Sequence, residues 1–172
     1  QENVELGLKI QNMPAKQRAD IATKMLQQVK LSGAEGKQIW ELSGGMRQRV
    51  GIARALAVRS KYLLMDEPFG ALDAFTREQM QDLVLDLWQR HQTGFFLITH
   101  DIEEALVLAT RLVLMAPFPG RIIDELTPPF SQQRRAGKSF RQIKSDPAFI
   151  EMREYLFTRL NAQDTAQYEV SI

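Results

Sequence analysis

The stretch YLLMDEPFGALD, residues 62–73, decides the fold class of this chain. It opens with a short apolar run, residues 62–65, that ends abruptly in two carboxylates, which is typical of a buried β-strand. An apolar stripe with helical spacing follows it, made of Met80, Leu83, Val84, Leu87 and Trp88. A second apolar run, residues 95–98, predicts another buried strand. This alternation of strand and helix predicts an α/β fold with a partly parallel sheet and flanking helices.

Helix-start, helix-stop and turn signals predict the other elements. The expected helices run over residues 14–33, 43–58, 101–110 and 147–160. The expected hairpin pairs residues 111–116 with residues 121–126 around a turn at 117–120. Polar or proline-rich connectors are expected at 32–38 and 128–135. The character of the sequence therefore changes after residue 127.

The composition is that of a soluble globular domain, with 44% hydrophobic and 25% charged residues. The net charge of +1 gives no general attraction to nucleic acid or to an anionic membrane. The absence of cysteine excludes a disulfide framework and a thiolate metal site. No signal peptide is recognisable, and the apolar runs are too short to span a bilayer. Because the chain begins with Gln1 rather than Met, we expect a fragment or a processed product.

The tripeptide Ser43-Gly44-Gly45 opens a predicted helix, where unpaired backbone N–H groups and the helix dipole favour anions. Glycine lets a phosphate approach the backbone closely, and the serine hydroxyl adds a donor. The alternative is a simple helix cap. Two glycines in a first turn cost about 1 kcal/mol each relative to alanine, and capping alone does not need them. The pattern therefore favours a phosphate contact.

The pair Asp66-Glu67 ends the first predicted strand. Two adjacent ionised carboxylates there are costly unless something compensates, and Mg²⁺ prefers such hard oxygen ligands. The second carboxylate could then orient or deprotonate a water that attacks a phosphate. A solvated, inactive strand end explains the pair equally well when the two residues are taken alone.

His100 and Asp73 are weaker candidates when each is taken alone. His100 follows the second predicted strand, at the end where ligand sites of open α/β sheets gather. Taken by itself, it reads more simply as a polar strand-end residue. Asp73 reads more simply as the cap of the helix that follows it. A phosphate-cradling P-loop, G-x-x-x-x-G-K-[ST], is absent, because the two partial matches near Lys37 and Lys138 lack the required spacing.

Four motifs occur in one order: LSGG at 42–45, YLLMDEP at 62–68, ALD at 71–73 and ITHD at 98–101. Together they resemble the signature motif, Walker B motif, D-loop and H-loop of ABC transporter nucleotide-binding domains. Met46 departs from the family pattern, which usually has Gln there. The longer runs at 66–89 and 95–105 resemble importer ATPases for taurine, sulfonates and nitrate-like anions. Within that group, RQIKSDPAFIEMREYL at 141–156 resembles the taurine importers most.

The resemblance implies a P-loop NTPase fold and two ATPase subunits that sandwich two ATP molecules head to tail. Ser43, Gly44 and Gly45 would bind the γ-phosphate of an ATP held on the partner's P-loop. Asp66 would hold Mg²⁺, and Glu67 would polarise the attacking water. His100 would contact the γ-phosphate, and Asp73 would couple the two ATP sites.

The resemblance also implies an organisation for the chain. Residues 1–127 would be the C-terminal portion of the ATPase domain. Within it, residues 1–60 would form the helical subdomain and signature helix, and 61–127 the part from Walker B to the end of the core. Residues 128–172 would be a helical extension. The helical subdomain would touch membrane-spanning permease subunits, and a substrate-binding protein would act indirectly. The subunit would lie peripherally on the cytoplasmic face of the bacterial inner membrane. The resemblance implies no nucleic-acid partner.

Three alternatives stay open at this point. The cargo could be another small anion, such as an aliphatic sulfonate or nitrate. The chain could belong to a non-transport ABC protein, although it shows no zinc module or strongly basic surface. It could also be a catalytically inactive interaction module. Because the P-loop and Q-loop would precede Gln1, we expect the isolated 172-residue chain to bind ATP weakly and not to hydrolyse it.

Overall fold

The computed structural model describes residues 1–91, 93–116 and 119–169, with side chains described as far as residue 162. The chain divides into two compact units, Gln1–Ile98 and Thr99–Ile172. We call them the first unit and the second unit. Among the described residues, no helix combines the length and the apolar character that a bilayer crossing requires.

Three helices that pack on one another open the first unit. They are α1 (Glu2–Ile10), α2 (Ala15–Gln28) and α3 (Gly44–Ala57), and a 3-10 helix, Ile39–Glu41, precedes α3. Their shared core contains Val4, Leu8, Leu26, Ile52 and Leu56, each at most 5% exposed. The predicted helix at 43–58 is confirmed. Helix α1 was not predicted, because residues 3–10 lack a recognisable start signal.

The end of α2 differs from the prediction for a local reason. Lys30 adopts a left-handed φ of 60°, its N–H donates to the Gln27 carbonyl, and the Leu31 N–H donates to the Leu26 carbonyl at 2.8 Å. This pair of hydrogen bonds closes a helix at its C-terminus, so α2 ends at Gln28 and not at Gly33. Asn12, with φ 57°, terminates α1 in the same way. The helix start predicted at residue 14 therefore follows directly after the end of another helix.

A strand–helix–strand unit completes the first unit: β1 (Tyr62–Asp66), α4 (Ala74–Arg90) and β2 (Gly94–Ile98). β1 and β2 are parallel, with Tyr62 opposite Gly94 and Asp66 opposite Ile98. The predicted element types and the parallel sheet are confirmed. The prediction that both strands are buried is wrong for one face: Leu63 and Met65 are buried, whereas Leu64 is 71% and Phe96 59% exposed. No described residue covers that second face.

The second unit contains α5 (Ile102–Leu108), an antiparallel hairpin of β3 (Leu112–Ala116) and β4 (Arg121–Leu126), and the helices α6 (Phe130–Arg135), α7 (Phe140–Lys144) and α8 (Pro147–Glu169). The predicted hairpin is confirmed, although residues 117 and 118 of its turn lie outside the described residues. The predicted connector at 128–135 is wrong in part. Residues 130–135 of it form α6, because Phe130 is fully buried and fixes that segment against the core.

The second-unit core joins the terminal helices to α5 and the hairpin. Phe130 and Phe149 meet edge to face at 4.9 Å between ring centroids, and Leu106, Ile143 and Leu156 pack in the same cluster. The helix predicted at 147–160 is confirmed, and its Met152 and Leu160 also pack against this cluster. The compact units divide between Ile98 and Thr99. The assignment of residues 128–172 to a separate extension stays a prediction.

Candidate functional site

The Ser43-Gly44-Gly45 turn is an exposed helix start whose two glycines have different surroundings. The Ser43 side chain accepts a hydrogen bond from the Met46 N–H at 3.3 Å and so caps α3. Gly44 is exposed, and a Cβ added there would meet no atom within 4 Å. Gly45 is buried, and a Cβ added there would lie 2.7 Å from Cγ2 of Thr76. The backbone at Gly44 is therefore open to a ligand, whereas Gly45 permits close packing on α4.

The two arginines of α3 near this turn make structural contacts. Nη1 of Arg47 donates to the Leu42 carbonyl at 2.7 Å and steadies the turn before the helix. Nη1 of Arg49 donates to the Val29 carbonyl at 3.1 Å, at the end of α2, and partial burial lowers the pKa of this guanidinium. The groups that this helix start offers to an anion are therefore the capping serine and the glycine backbone.

Asp66 and Glu67 are both exposed where β1 passes into a tight turn. Glu67 adopts a left-handed φ of 44°, a conformation that costs a non-glycine residue about 1–3 kcal/mol. Its N–H donates to the Ile98 carbonyl at 2.9 Å, so the end of β2 holds the strained residue in place. The next residues, Pro68 and Phe69, are buried and anchor the turn. Strain held by surrounding structure is typical of functional sites.

Asp73 is the N-cap of α4, as its simpler reading predicted. Its Oδ1 accepts the Thr76 N–H at 3.0 Å. Hydrogen bonds from the Thr76 hydroxyl and backbone hold the pKa of Asp73 below its usual value of 3.8. Thr76 is also the residue that lies against Gly45. The structure thus brings the Ser43–Gly45 turn next to the capped start of α4, and sequence reasoning missed Thr76, whose only signal was its place three residues after the cap.

His100 belongs to the second unit and is exposed in the loop before α5. The loop is tied on both sides of it: the Asp101 N–H donates to Oγ1 of Thr99 at 3.1 Å, and Asp101 caps α5 by accepting the Glu104 N–H at 3.0 Å. The helix start predicted at residue 101 is confirmed. His100 lines a cleft of about 380 Å³ whose other wall is formed by α8.

The described residues contain no group of three or more His, Asp or Glu side chains arranged to hold a metal by themselves. Asp66 and Glu67 could still contribute to a Mg²⁺ site, because Mg²⁺ is commonly bound by one or two carboxylates together with substrate phosphates and water. The exposed strand end is compatible with that shared coordination.

Comparisons with known proteins identify the family. The family model described as ABC transporter matches residues 1–70. The chain is 59% identical over 162 residues to the taurine import ATP-binding protein TauB of Chromobacterium violaceum, covering 94% of this chain and 62% of that protein. It is 56% identical over 166 residues to TauB of Escherichia coli O157:H7, covering 96% and 65%. The chain thus spans somewhat less than two thirds of the length of these relatives.

Solved structures agree in fold. An ATP-binding cassette of an ABC transporter superposes with a TM-score of 0.61 at 28% identity, covering 81% of this chain and 51% of that one. CbiO1 of Clostridium perfringens, part of the ABC transporter complex cbiONQ, gives a TM-score of 0.68 at 23% identity, covering 86% and 57%. The predicted P-loop NTPase fold class is confirmed. With the ordered motifs, these matches lead to one conclusion: the chain belongs to the family of ABC transporter ATP-binding proteins.

Proposed function

We propose that this protein is the ATP-hydrolysing subunit of an ABC importer that powers the uptake of taurine or a related sulfonate. The observation that carries the proposal is the 55–59% identity to taurine import ATP-binding proteins over 94–96% of the chain. The exposed signature turn and the strained strand end of the first unit support it. The subunit works as a head-to-tail pair on the cytoplasmic face of the inner membrane, bound to permease subunits that receive cargo from a binding protein.

Within that pair, the Ser43 hydroxyl and the backbone at Gly44 and Gly45 bind the γ-phosphate of an ATP held by the partner subunit. The accessible start of α3 supports this role, because the helix dipole and the N–H groups of a first helical turn favour an anion. Asp73 couples the two ATP sites, and its cap bonds to Thr76 place it beside the Gly45 turn.

Asp66 holds Mg²⁺, which would neutralise charge on the β- and γ-phosphates when ATP is bound. Glu67 accepts a hydrogen bond from the attacking water and orients it toward the γ-phosphate. The left-handed backbone of Glu67 supports this role, since it fixes the direction in which the side chain leaves the turn. His100 donates a hydrogen bond to a γ-phosphate oxygen from the start of α5.

The substitution Glu67→Gln in the full-length subunit, assembled with its permease, tests the catalytic assignment. We expect ATP binding to persist and hydrolysis to fall by about 10²–10⁴-fold, the usual contribution of a positioned general base. Glu78→Gln is the matched control, because Glu78 is an exposed glutamate on α4, and it should leave the rate unchanged. Equal rates for wild type and Glu67→Gln would contradict the role of Glu67.

Uptake assays separate the candidate cargoes. The assay uses cells that lack their own taurine-import ATPase and are supplied with this subunit and its cognate permease and binding protein. These cells should accumulate labelled taurine. Accumulation of an alkanesulfonate or nitrate instead would move the assignment to that anion. A full-length subunit that dimerises without hydrolysing ATP would replace the importer reading with the interaction-module reading.

A further inference from the structure

The cleft beside His100 has one wall made by the terminal helix. Arg153 and Phe157, one helical turn apart on α8, line it together with His100 and Glu103. All four residues belong to the second unit. Phe157 leaves 54% of its surface exposed, whereas Phe149 and Leu156 of the same helix pack into the core. The terminal helix thus presents a cation and an aromatic ring to the loop that carries His100.

A network of charges ties this wall to the start of α5. Glu103 lies in the first turn of α5, and its two carboxylate oxygens bind different cations. Oε1 of Glu103 lies 3.1 Å from Nη1 of Arg153, and its Oε2 lies 3.0 Å from Nζ of Lys144. Arg153 also binds Oε1 of Glu154 at 2.8 Å. One carboxylate, three residues after His100, thus joins α5 to both α7 and α8.

Helix α8 is a rigid support for this network. Phe149 and Leu156 are at most 1% exposed and lock the helix into the core. On another part of the helix, Nη2 of Arg159 donates to the Ile123 carbonyl at 3.0 Å, and the Tyr155 hydroxyl donates to Asp124 of β4. Arg153 therefore projects from a fixed backbone, and its ion pair with Glu103 constrains the position of α5.

From this arrangement we propose that Arg153 of α8 and Glu103 of α5 are positioning residues for His100, so that the terminal helix sets the rate of ATP hydrolysis through the loop before α5. The inference rests on the proposed function and extends it to residues 128–172, for which that function names no role. Asp101 links the position of α5 to the loop that carries His100. It caps α5, and its N–H donates to Thr99 on the other side of His100. The placement of α5 therefore fixes the loop on both sides of His100.

A purely stabilising role is the competing explanation. The side chains of Glu103 and Arg153 are 35% and 36% exposed, and half-exposed ion pairs contribute little to stability. A stabilising pair would change the unfolding temperature and leave the turnover number per folded molecule unchanged. A positioning pair changes the turnover number and leaves the KM for ATP nearly constant.

The test uses the full-length subunit in its assembled transporter and the substitutions Arg153→Met and Glu103→Gln. We expect kcat to fall by about tenfold, since an ångström-scale misplacement of a reacting group costs up to about 10²-fold. The KM for ATP should stay within about twofold. Arg153→Lys keeps the charge and should recover most of the rate. Arg141→Met is the matched control, because Arg141 is an exposed arginine of α7 that lies outside the cleft.

A spectroscopic measurement tests the positioning of His100 independently of turnover. The ring signal of His100, assigned with a His100→Gln variant, should shift in Arg153→Met, whereas the signal of His91 in the first unit should not. Unchanged kcat together with an unshifted His100 signal would overturn the proposal, as would an equal loss of kcat in Arg141→Met. If the wild-type transporter hydrolyses no ATP, the proposed function fails, and the ring signal alone decides whether Arg153 positions His100.

Discussion

The two glycines of the signature turn should respond in opposite ways to alanine. Both belong to α3, where replacing glycine by alanine stabilises a helix by about 0.5–1 kcal/mol. At Gly44 the added methyl meets nothing within 4 Å, so that gain is kept. At Gly45 it lies 2.7 Å from Cγ2 of Thr76, and overpacking of this kind costs about 1–3 kcal/mol. We expect Gly45→Ala to lower the free energy of unfolding by up to about 2.5 kcal/mol, which is the cost of overpacking less the helix gain.

Urea unfolding of the nucleotide-free, full-length subunit measures both variants. The helix-propensity gain is common to them, so their difference isolates the clash with Thr76. Thr76→Ser removes Cγ2 and keeps the hydroxyl that bonds to Asp73. The double variant Gly45→Ala/Thr76→Ser should therefore recover most of the stability that Gly45→Ala loses.

Hydrolysis should rank the same two variants in a different order. Gly44→Ala places a methyl at the open helix start, where the proposed phosphate contact lies, so it should impair ATP turnover in a protein that is at least as stable as wild type. Equal unfolding free energies for Gly44→Ala and Gly45→Ala, or no recovery with Thr76→Ser, would refute the packing argument.

Three further perturbations test other parts of the structure. Phe149→Ala should cost about 3–5 kcal/mol in urea unfolding, because the ring is fully buried against Phe130; a loss below about 1 kcal/mol would contradict its central place in the core. Ser43→Ala should cost about 0.5–1 kcal/mol, at the low end for an N-cap, since the bond is long at 3.3 Å. The depressed pKa of Asp73 stabilises the fold above its ordinary value of 3.8, and this contribution is lost as pH falls through the folded pKa. The thermal stability of wild type relative to Asp73→Asn should therefore decline on acidification below about pH 4, and a constant difference would refute the linkage.

Local chemistry explains which predictions succeeded. Ser43, Asp73 and Asp101 each cap the helix that follows, because a cap bond joins a side chain to a backbone N–H only three residues away. The parallel pairing of β1 with β2 follows from the order strand, helix, strand. The order of the four motifs likewise indicates the family, because each motif is defined by residue types at fixed spacing along the chain.

Predictions that depended on solvent exposure or on long-range contacts fared worse. Apolar runs in β1 and β2 indicated burial on both faces, yet Leu64 and Phe96 are exposed, because burial depends on what lies across the sheet. The 128–135 segment was expected to be irregular from its prolines, yet Phe130 draws part of it into a helix. The end of α2 was misplaced because a non-glycine residue, Lys30, takes the left-handed conformation.

The sequence by itself determined the fold class, the family and the identity of the candidate site residues, since these depend on residue types and their spacing along the chain. Only the tertiary structure decided that Gly45 packs on Thr76, that Arg49 binds the end of α2, and that Glu103 joins α5 to the terminal helix. Arg153 lies 50 residues after Glu103 in the chain. Contacts between such distant residues depend on how helices pack in three dimensions, and neither local spacing nor composition specifies that packing.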